Sequence, residues 1–219
     1  MSPGVLAAAY DAVTGVLDGL APVDWDRPTR AEGWTVRDLT FHLLLDAQRA
    51  LVTLASPGER APDRDRYDYW SAFHPASGDG GAAHADFVRR AAAAYGERAL
   101  LAVWRDTAPA AGHAVAVADP ADLVATQGHV LTVADLASTL VLEASVHHLD
   151  LVLDLPDAAG PPAAALAETR HVLDVLAPAP FPAPWPDERV ALLGTGRVLP
   201  DDAERAALGD AADRLPLLG

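Results

Sequence analysis

Glu143 and His147 stand four positions apart, and on a helix that spacing puts both side chains on one face, where they can ligate a single metal ion. His42, about 100 residues earlier, offers a third ligand from a neighbouring helix. Two histidines and one carboxylate leave coordination positions open for water or substrate. Such a set suits zinc, iron, nickel or manganese without choosing among them. Asp150 follows His147 by three and Asp46 follows His42 by four, so either carboxylate could accept the second ring N–H of a ligand histidine and fix its tautomer. Arg49, one turn beyond Asp46, is a candidate clamp for a substrate carboxylate. His148 points about 100° away from His147 and is assigned to packing or surface. His74, His84, His113, His129 and His171 have no partner at ligand spacing.

What is missing narrows the chemistry further. The 219 residues include no cysteine, which excludes disulfides, a catalytic thiol and thiolate metal ligands. They also include no lysine, so Schiff-base catalysis and the phosphate-loop lysine are excluded. Neither a GxGxxG fingerprint nor a GxSxG nucleophile elbow occurs. Asn and Ile are absent too, a pattern expected of a high-GC bacterial genome. The net charge of −15 argues against nucleic acid and anionic membranes as partners. With 51% apolar residues but no long uninterrupted apolar run and no basic leader, a cytoplasmic globular protein is expected, monomer or homodimer.

Helices must position these groups. The first is expected over Pro3 to Leu20, with Ser2 as N-cap. Thr35-Val36-Arg37-Asp38 has the form of a capping box and opens a second helix to about Ala55. On a helical wheel its polar residues, Asp38, His42, Asp46, Arg49 and Thr53, fall in one sector of an otherwise apolar surface. Ser56 to Gly81 reads as a long connection packed by Tyr67, Tyr69, Trp70 and Phe73. It is expected to act as a lid, with Tyr67, Trp70 or Phe73 toward the bound molecule. A third helix is predicted over Ala82 to Thr107, then two extended stretches, His113 to Ala118 and Leu123 to Val130, joined at Asp119-Pro120. Thr132 caps a fourth helix, Val133 to about Leu155, stopped by Pro156. Its polar stripe, Glu143, His147, Asp150 and Asp154, lies between two apolar walls. A helix apolar over most of its circumference is largely buried, so the stripe is either its only wet face or the lining of an internal site. A helix near Pro162 to Leu176, a strand over Arg189 to Leu193 and a last helix from Asp201 complete the reading. The fold class is therefore mainly α, a four-helix bundle with a small hairpin insertion and a short α/β C-terminal extension.

Gly33-Trp34-Thr35-Val36-Arg37-Asp38-Leu39-Thr40-Phe41-His42-Leu43, followed by Glu143-x-x-x-His147-x-x-Asp150, resembles the mycothiol-dependent maleylpyruvate isomerase family of the DinB-like metal-binding superfamily. The resemblance covers about residues 1 to 155 and implies a bundle holding a divalent metal on His42, Glu143 and His147, zinc first, with nickel, iron and manganese as alternatives. It divides the chain into a bundle, 1–155, and a shortened C-terminal α/β subdomain, 156–219, which contains Leu192-Leu193-Gly194-Thr195-Gly196-Arg197. It also implies mycothiol as co-substrate and a small electrophilic metabolite as substrate, with isomerisation or thiol S-transfer as the reaction. Asp150 and Arg49 are the candidate catalytic residues beside the metal ligands, and Trp70 and Tyr67 the candidate cofactor contacts. Two alternatives keep the metal: a thiol-independent hydrolase, lyase or cyclase, and a non-enzymatic metal-binding bundle.

Overall fold

The computed structural model describes residues 4–72, 79–155 and 157–218. Ser2, Pro3, Phe73, His74 and Pro156, to which the sequence reading gave cap, first-turn, lid and stop roles or left open, lie outside the described residues. The helices are α1 (Val5–Asp18), α2 (Val36–Leu54), α3 (Asp79–Ala92), α4 (Glu97–Val117), α5 (Val133–Leu151), α6 (Ala163–Leu176), α7 (Asp187–Gly194) and α8 (Asp202–Leu208). A hairpin of β1 (Leu123–Thr126) and β2 (His129–Thr132) precedes α5.

α1, α2, α4 and α5 pack against one another as the bundle, α3 lies along α2, and α6 packs on α5 and α1. Its core is apolar, with Tyr10, Leu39, Leu43, Trp104, Leu136 and Leu140 almost wholly out of solvent. Tyr10 and Trp104 meet edge to face, ring centroids 5.4 Å apart. α5 is the central element, since 16 of its 19 residues are buried. Glu143, His147 and Asp150 of its polar stripe therefore line an interior, whereas Asp154, expected on the same stripe, falls past the end of the helix and is exposed.

Both helices that carry the candidate ligands start on a hydroxyl cap. Thr35 Oγ1 accepts from the Asp38 N–H while Asp38 Oδ2 accepts from the Thr35 N–H at 2.9 Å, the reciprocal pair that the spacing predicts. Thr132 Oγ1 accepts from the Asp135 N–H at 3.1 Å and donates to Asp135 Oδ2. Each cap is worth about 1 kcal/mol and fixes where its helix begins, hence which residues face inward. The segment leading into α2 is tied to the end of α5: Arg27 donates to the Asp154 carbonyl at 2.7 Å and Arg30 to the Leu149 carbonyl at 2.6 Å. The Leu149 carbonyl is one of the last four of α5, an orphan at a helix C-terminus where a cation is favoured, and Asp154 lies in the turn just beyond it. The tie brings the first turns of α2 beside the last turns of α5.

Three expectations need correction. The predicted third helix is two, α3 and α4, with α4 beginning after Gly96 and running through His113 to Val117. That stretch is helical because Ala108, Ala111, Gly112 and Val115 recur at helical spacing as its buried face. Gly112 lets α4 approach α1 so closely that a Cβ there would meet Ala7 Cα at 3.0 Å. The hairpin instead folds the other predicted stretch on itself at Gln127-Gly128, both at positive φ (49° and 84°), in the register Leu123 to Thr132. Two successive left-handed residues suit a tight hairpin turn. Finally, Arg189 to Leu193 belongs to helix α7, so the C-terminal extension holds no strand among the described residues. A run of four apolar residues does not distinguish strand from buried helix, and Gly194 settles against Leu173 of α6, where a Cβ would lie 2.8 Å from Leu173 Cδ1. The expected mainly helical bundle stands.

Candidate metal centre

His42 projects from the second turn of α2 toward Glu143 and His147, one turn apart near the end of α5. Glu143 Oε2 lies 3.0 Å from His147 Nε2 and 3.6 Å from His42 Nε2. The three potential ligand atoms fall within 4.8 Å of one another, and their side chains keep only 11–17% exposure. The donor set, two imidazole nitrogens and one carboxylate oxygen, fits a divalent transition metal. Trp34 walls the cluster, its ring centroid 5.0 Å from that of His42 and 6.3 Å from that of His147.

The remaining nitrogens of the two histidines meet different partners. His147 Nδ1 lies 3.0 Å from Asp150 Oδ2, as the i, i+3 spacing predicts. Asp150, fully buried, is gripped in turn by Arg197, Nε to Oδ1 at 3.2 Å and a terminal nitrogen to Oδ2 at 3.1 Å. His42 departs from expectation. Asp46 Oδ2 lies 3.5 Å from its Nε2, the nitrogen that also faces Glu143, whereas Nδ1 is 3.4 Å from His84 Nε2 on α3. Asp46 is thus on the ligating side of the ring, and His84 is the group placed to meet the other nitrogen.

The charges are mutually dependent. Burial alone disfavours ionised Glu143, yet hydrogen bonds from His147 and His42 overcome it and hold the carboxyl well below its usual range. Burial likewise opposes an imidazolium at His147, but Asp150 and Glu143 together push it up to about 9. Asp150 is held low against its burial by His147 and then Arg197. His84 is lowered by burial and then by His42. A proton on His147 occupies the same electrostatic position that a cation would.

Arg49 lies further along the α2 stripe. One terminal nitrogen donates to the Tyr69 hydroxyl at 3.0 Å, another lies 3.4 Å from Asp46 Oδ1, and Nε has no partner among the described residues. The Tyr69 hydroxyl donates onward to Gln127 Oε1 at the hairpin tip. The described part of the connection after α2 does fold back along the bundle, but Tyr69 is the one of its described aromatics that meets the polar stripe. Trp70 packs among Leu131, Leu142, Val146 and Val172, and the Tyr67 hydroxyl pairs with His171 Nε2 at 2.9 Å on α6. His148 turns away, with Nε2 2.8 Å from the Ala159 carbonyl.

The model of one protein family, the mycothiol maleylpyruvate isomerase N-terminal domain, matches residues 6–152, about two-thirds of the chain, and spans α1 to α5. The chain belongs to this family. No curated protein and no solved structure matches it. The match to the mycothiol maleylpyruvate isomerase N-terminal domain includes His42, Glu143, His147 and Asp150 and ends before α6. Arg197, which reaches Asp150 from beyond that boundary, was not singled out in the sequence, nor were Trp34, Tyr69 and His84 as site neighbours. Trp34 stands inside the motif around Thr35 and was the one that motif could have flagged.

Proposed function

We propose that this protein is a divalent-metal-dependent enzyme that uses mycothiol to act on a small electrophilic metabolite, by isomerisation or thiol S-transfer. His42, Glu143 and His147 are its metal ligands, and the observation that carries the reading is their convergence within 4.8 Å on two helices of a mycothiol-related family domain. A cation held there would stabilise an anion such as a thiol sulfur at neutral pH. Asp150 keeps the His147 ring oriented with Nε2 toward Glu143, and His147 and then Arg197 keep Asp150 ionised. Arg49 offers a buried cation for a substrate carboxylate, positioned by Tyr69. Trp70 supports that arrangement from behind, since its ring packs against Tyr69, centroids 5.2 Å apart. A bundle over 1–155 with a shortened C-terminal subdomain, in the cytoplasm where a small thiol is available, belongs to the same proposal.

A second reading drops the thiol. Asp46 Oδ2 is buried, lacks a hydrogen-bond partner among the described residues and lies 3.5 Å from His42 Nε2, a position from which a carboxylate could take a proton from water. The two readings separate in one experiment: zinc-reconstituted protein is assayed with electrophilic alkenes and epoxides in the presence and absence of mycothiol. Turnover only with thiol is expected. Turnover without it favours the hydrolytic reading, and a protein that takes up no metal after reconstitution overturns both.

A further inference from the structure

α1 contributes seven buried residues to the bundle, and Tyr10 alone among them carries a polar side-chain atom. Its side chain is 1% exposed, and its hydroxyl has no hydrogen-bond partner among the described residues. Phenylalanine would satisfy the packing equally well, and a buried hydroxyl without a partner costs about 1–3 kcal/mol. The ring is also held in place. Trp104 packs edge-on against it, the Trp104 Nε1–H donates to Thr14 Oγ1 at 2.9 Å, and Thr14 donates to the Tyr10 carbonyl at 2.8 Å. Trp104 belongs to α4, which thus covers one side of the ring. The charges that act on it are those of Asp46, Arg49 and Glu143, all bordering the metal centre.

Arg49 reciprocates. Its Nε is buried and has no partner among the described residues, while its terminal nitrogens are engaged by Tyr69 and Asp46. Unpaired buried polar atoms are uncommon, and three among the described residues belong to groups that act on one another: Asp46 lies 3.5 Å from His42 and 3.4 Å from Arg49, and the charges of both Asp46 and Arg49 act on the Tyr10 hydroxyl. Two of the three are donors. We propose that Tyr10 is a ligand-contacting residue: its hydroxyl and the Arg49 Nε–H form a pair of donors on the α1 side of the centre, receiving an oxygen of the bound molecule that carries full or developing negative charge. The phenol stays protonated because burial, then the Asp46 carboxylate, oppose its ionisation, so it acts as a donor. Asp46 faces the same space as an acceptor and requires that the oxygen meet the donors from the side away from it. Donors fixed beforehand in a site with little water act strongly on such charge, because nothing has to reorganise when the charge arrives. The inference rests on reading this cluster as a ligand-binding centre, but not on the metal or on the thiol.

The test uses acetate as probe on the metal-free full chain, so its outcome is independent of metal identity and thiol dependence. Wild-type protein labelled with 13C at the tyrosine ζ carbon is titrated with acetate beside Tyr10→Phe. Expected are a shift of the Tyr10 resonance at saturation and acetate affinity about tenfold weaker in the variant, the loss typical of one hydrogen bond to a charged group. Because the hydroxyl has no structural partner, the variant's melting temperature should not fall, and its zinc uptake should match the wild type. Equal acetate affinity in the two proteins overturns the proposal. So does a Tyr10 resonance that does not move, or a wild type that binds no acetate. A lowered melting temperature with unchanged affinity assigns the hydroxyl to a structural bond with Asp46 instead. Should the variant fail to fold, the wild-type resonance alone decides.

Discussion

α5 carries two buried polar clusters, one near each end, that differ in how completely their members are paired. Near its start, Arg66 bonds Asp135 at 2.9 Å and Glu168 at 3.2 Å, and Ser138 donates to Glu168 at 2.6 Å. No buried atom of that group lacks a hydrogen-bond partner. Near the helix's end, Glu143 and His147 meet His42, and the surroundings retain the unpartnered Tyr10, Asp46 and Arg49 atoms. Exposure of the ionisable side chains is alike, 11–19% in the first cluster and 11–17% among His42, Glu143 and His147, so burial does not distinguish them. Pairing does. A closed network specifies how α5, α6 and the connection after α2 fit together, whereas an open one leaves capacity for a ligand.

The largest effect expected is at the open cluster. His147→Ala should abolish zinc binding at micromolar protein, on the order of a thousandfold or more, beyond the roughly 10–100-fold attached to partners outside the ligand shell. His148→Ala should keep the metal, because its ring bonds the Ala159 carbonyl. Elemental analysis of both variants checks this, and metal lost only from the His148 variant would mean that the α5 ligand face is misassigned.

Trp70→Ala comes next. The indole is 8% exposed between the two clusters, against Leu142 and Val146 of α5. Truncation should lower stability by about 3 kcal/mol by denaturant unfolding, with metal content unchanged and ligand affinity weakened through Tyr69. Glu168→Ala should cost about 2 kcal/mol, because it leaves Arg66 with one carboxylate instead of two, while zinc affinity stays as in the wild type. A Glu168 variant that loses metal would break the contrast between a structural and a functional cluster.

The smallest effect is graded. A metal must displace the His147 proton, held up to about 9, so zinc affinity should rise with pH, by up to about tenfold per unit, and level off above that value. A chelator competition series measures the slope. A flat profile below pH 9 would mean that His147 is not the group displaced.

Local rules made much of this legible. Glu143 and His147 declare themselves by a four-residue interval, and both site helices by a hydroxyl followed three residues later by aspartate. His84, Tyr10 and Arg197 were not legible, since their relation to the centre is set by how α3, α1 and the tail pack, and no spacing within one helix encodes that. The boundary errors have similar origins. His113 to Val117 reads as extended until the close approach of α4 to α1 at Gly112 is known, and Arg189 to Leu193 is too short for its period to choose.

Trp34 gives the centre one property independent of the reaction. An indole ring 5.0 Å from His42 and 6.3 Å from His147 sits close enough for an ion on those nitrogens to alter its emission. Paramagnetic ions such as copper or nickel will darken it, whereas zinc, with a filled d shell, will not quench it by that route. An ion bound there would therefore be readable from the protein's own emission in a cuvette, without any added dye.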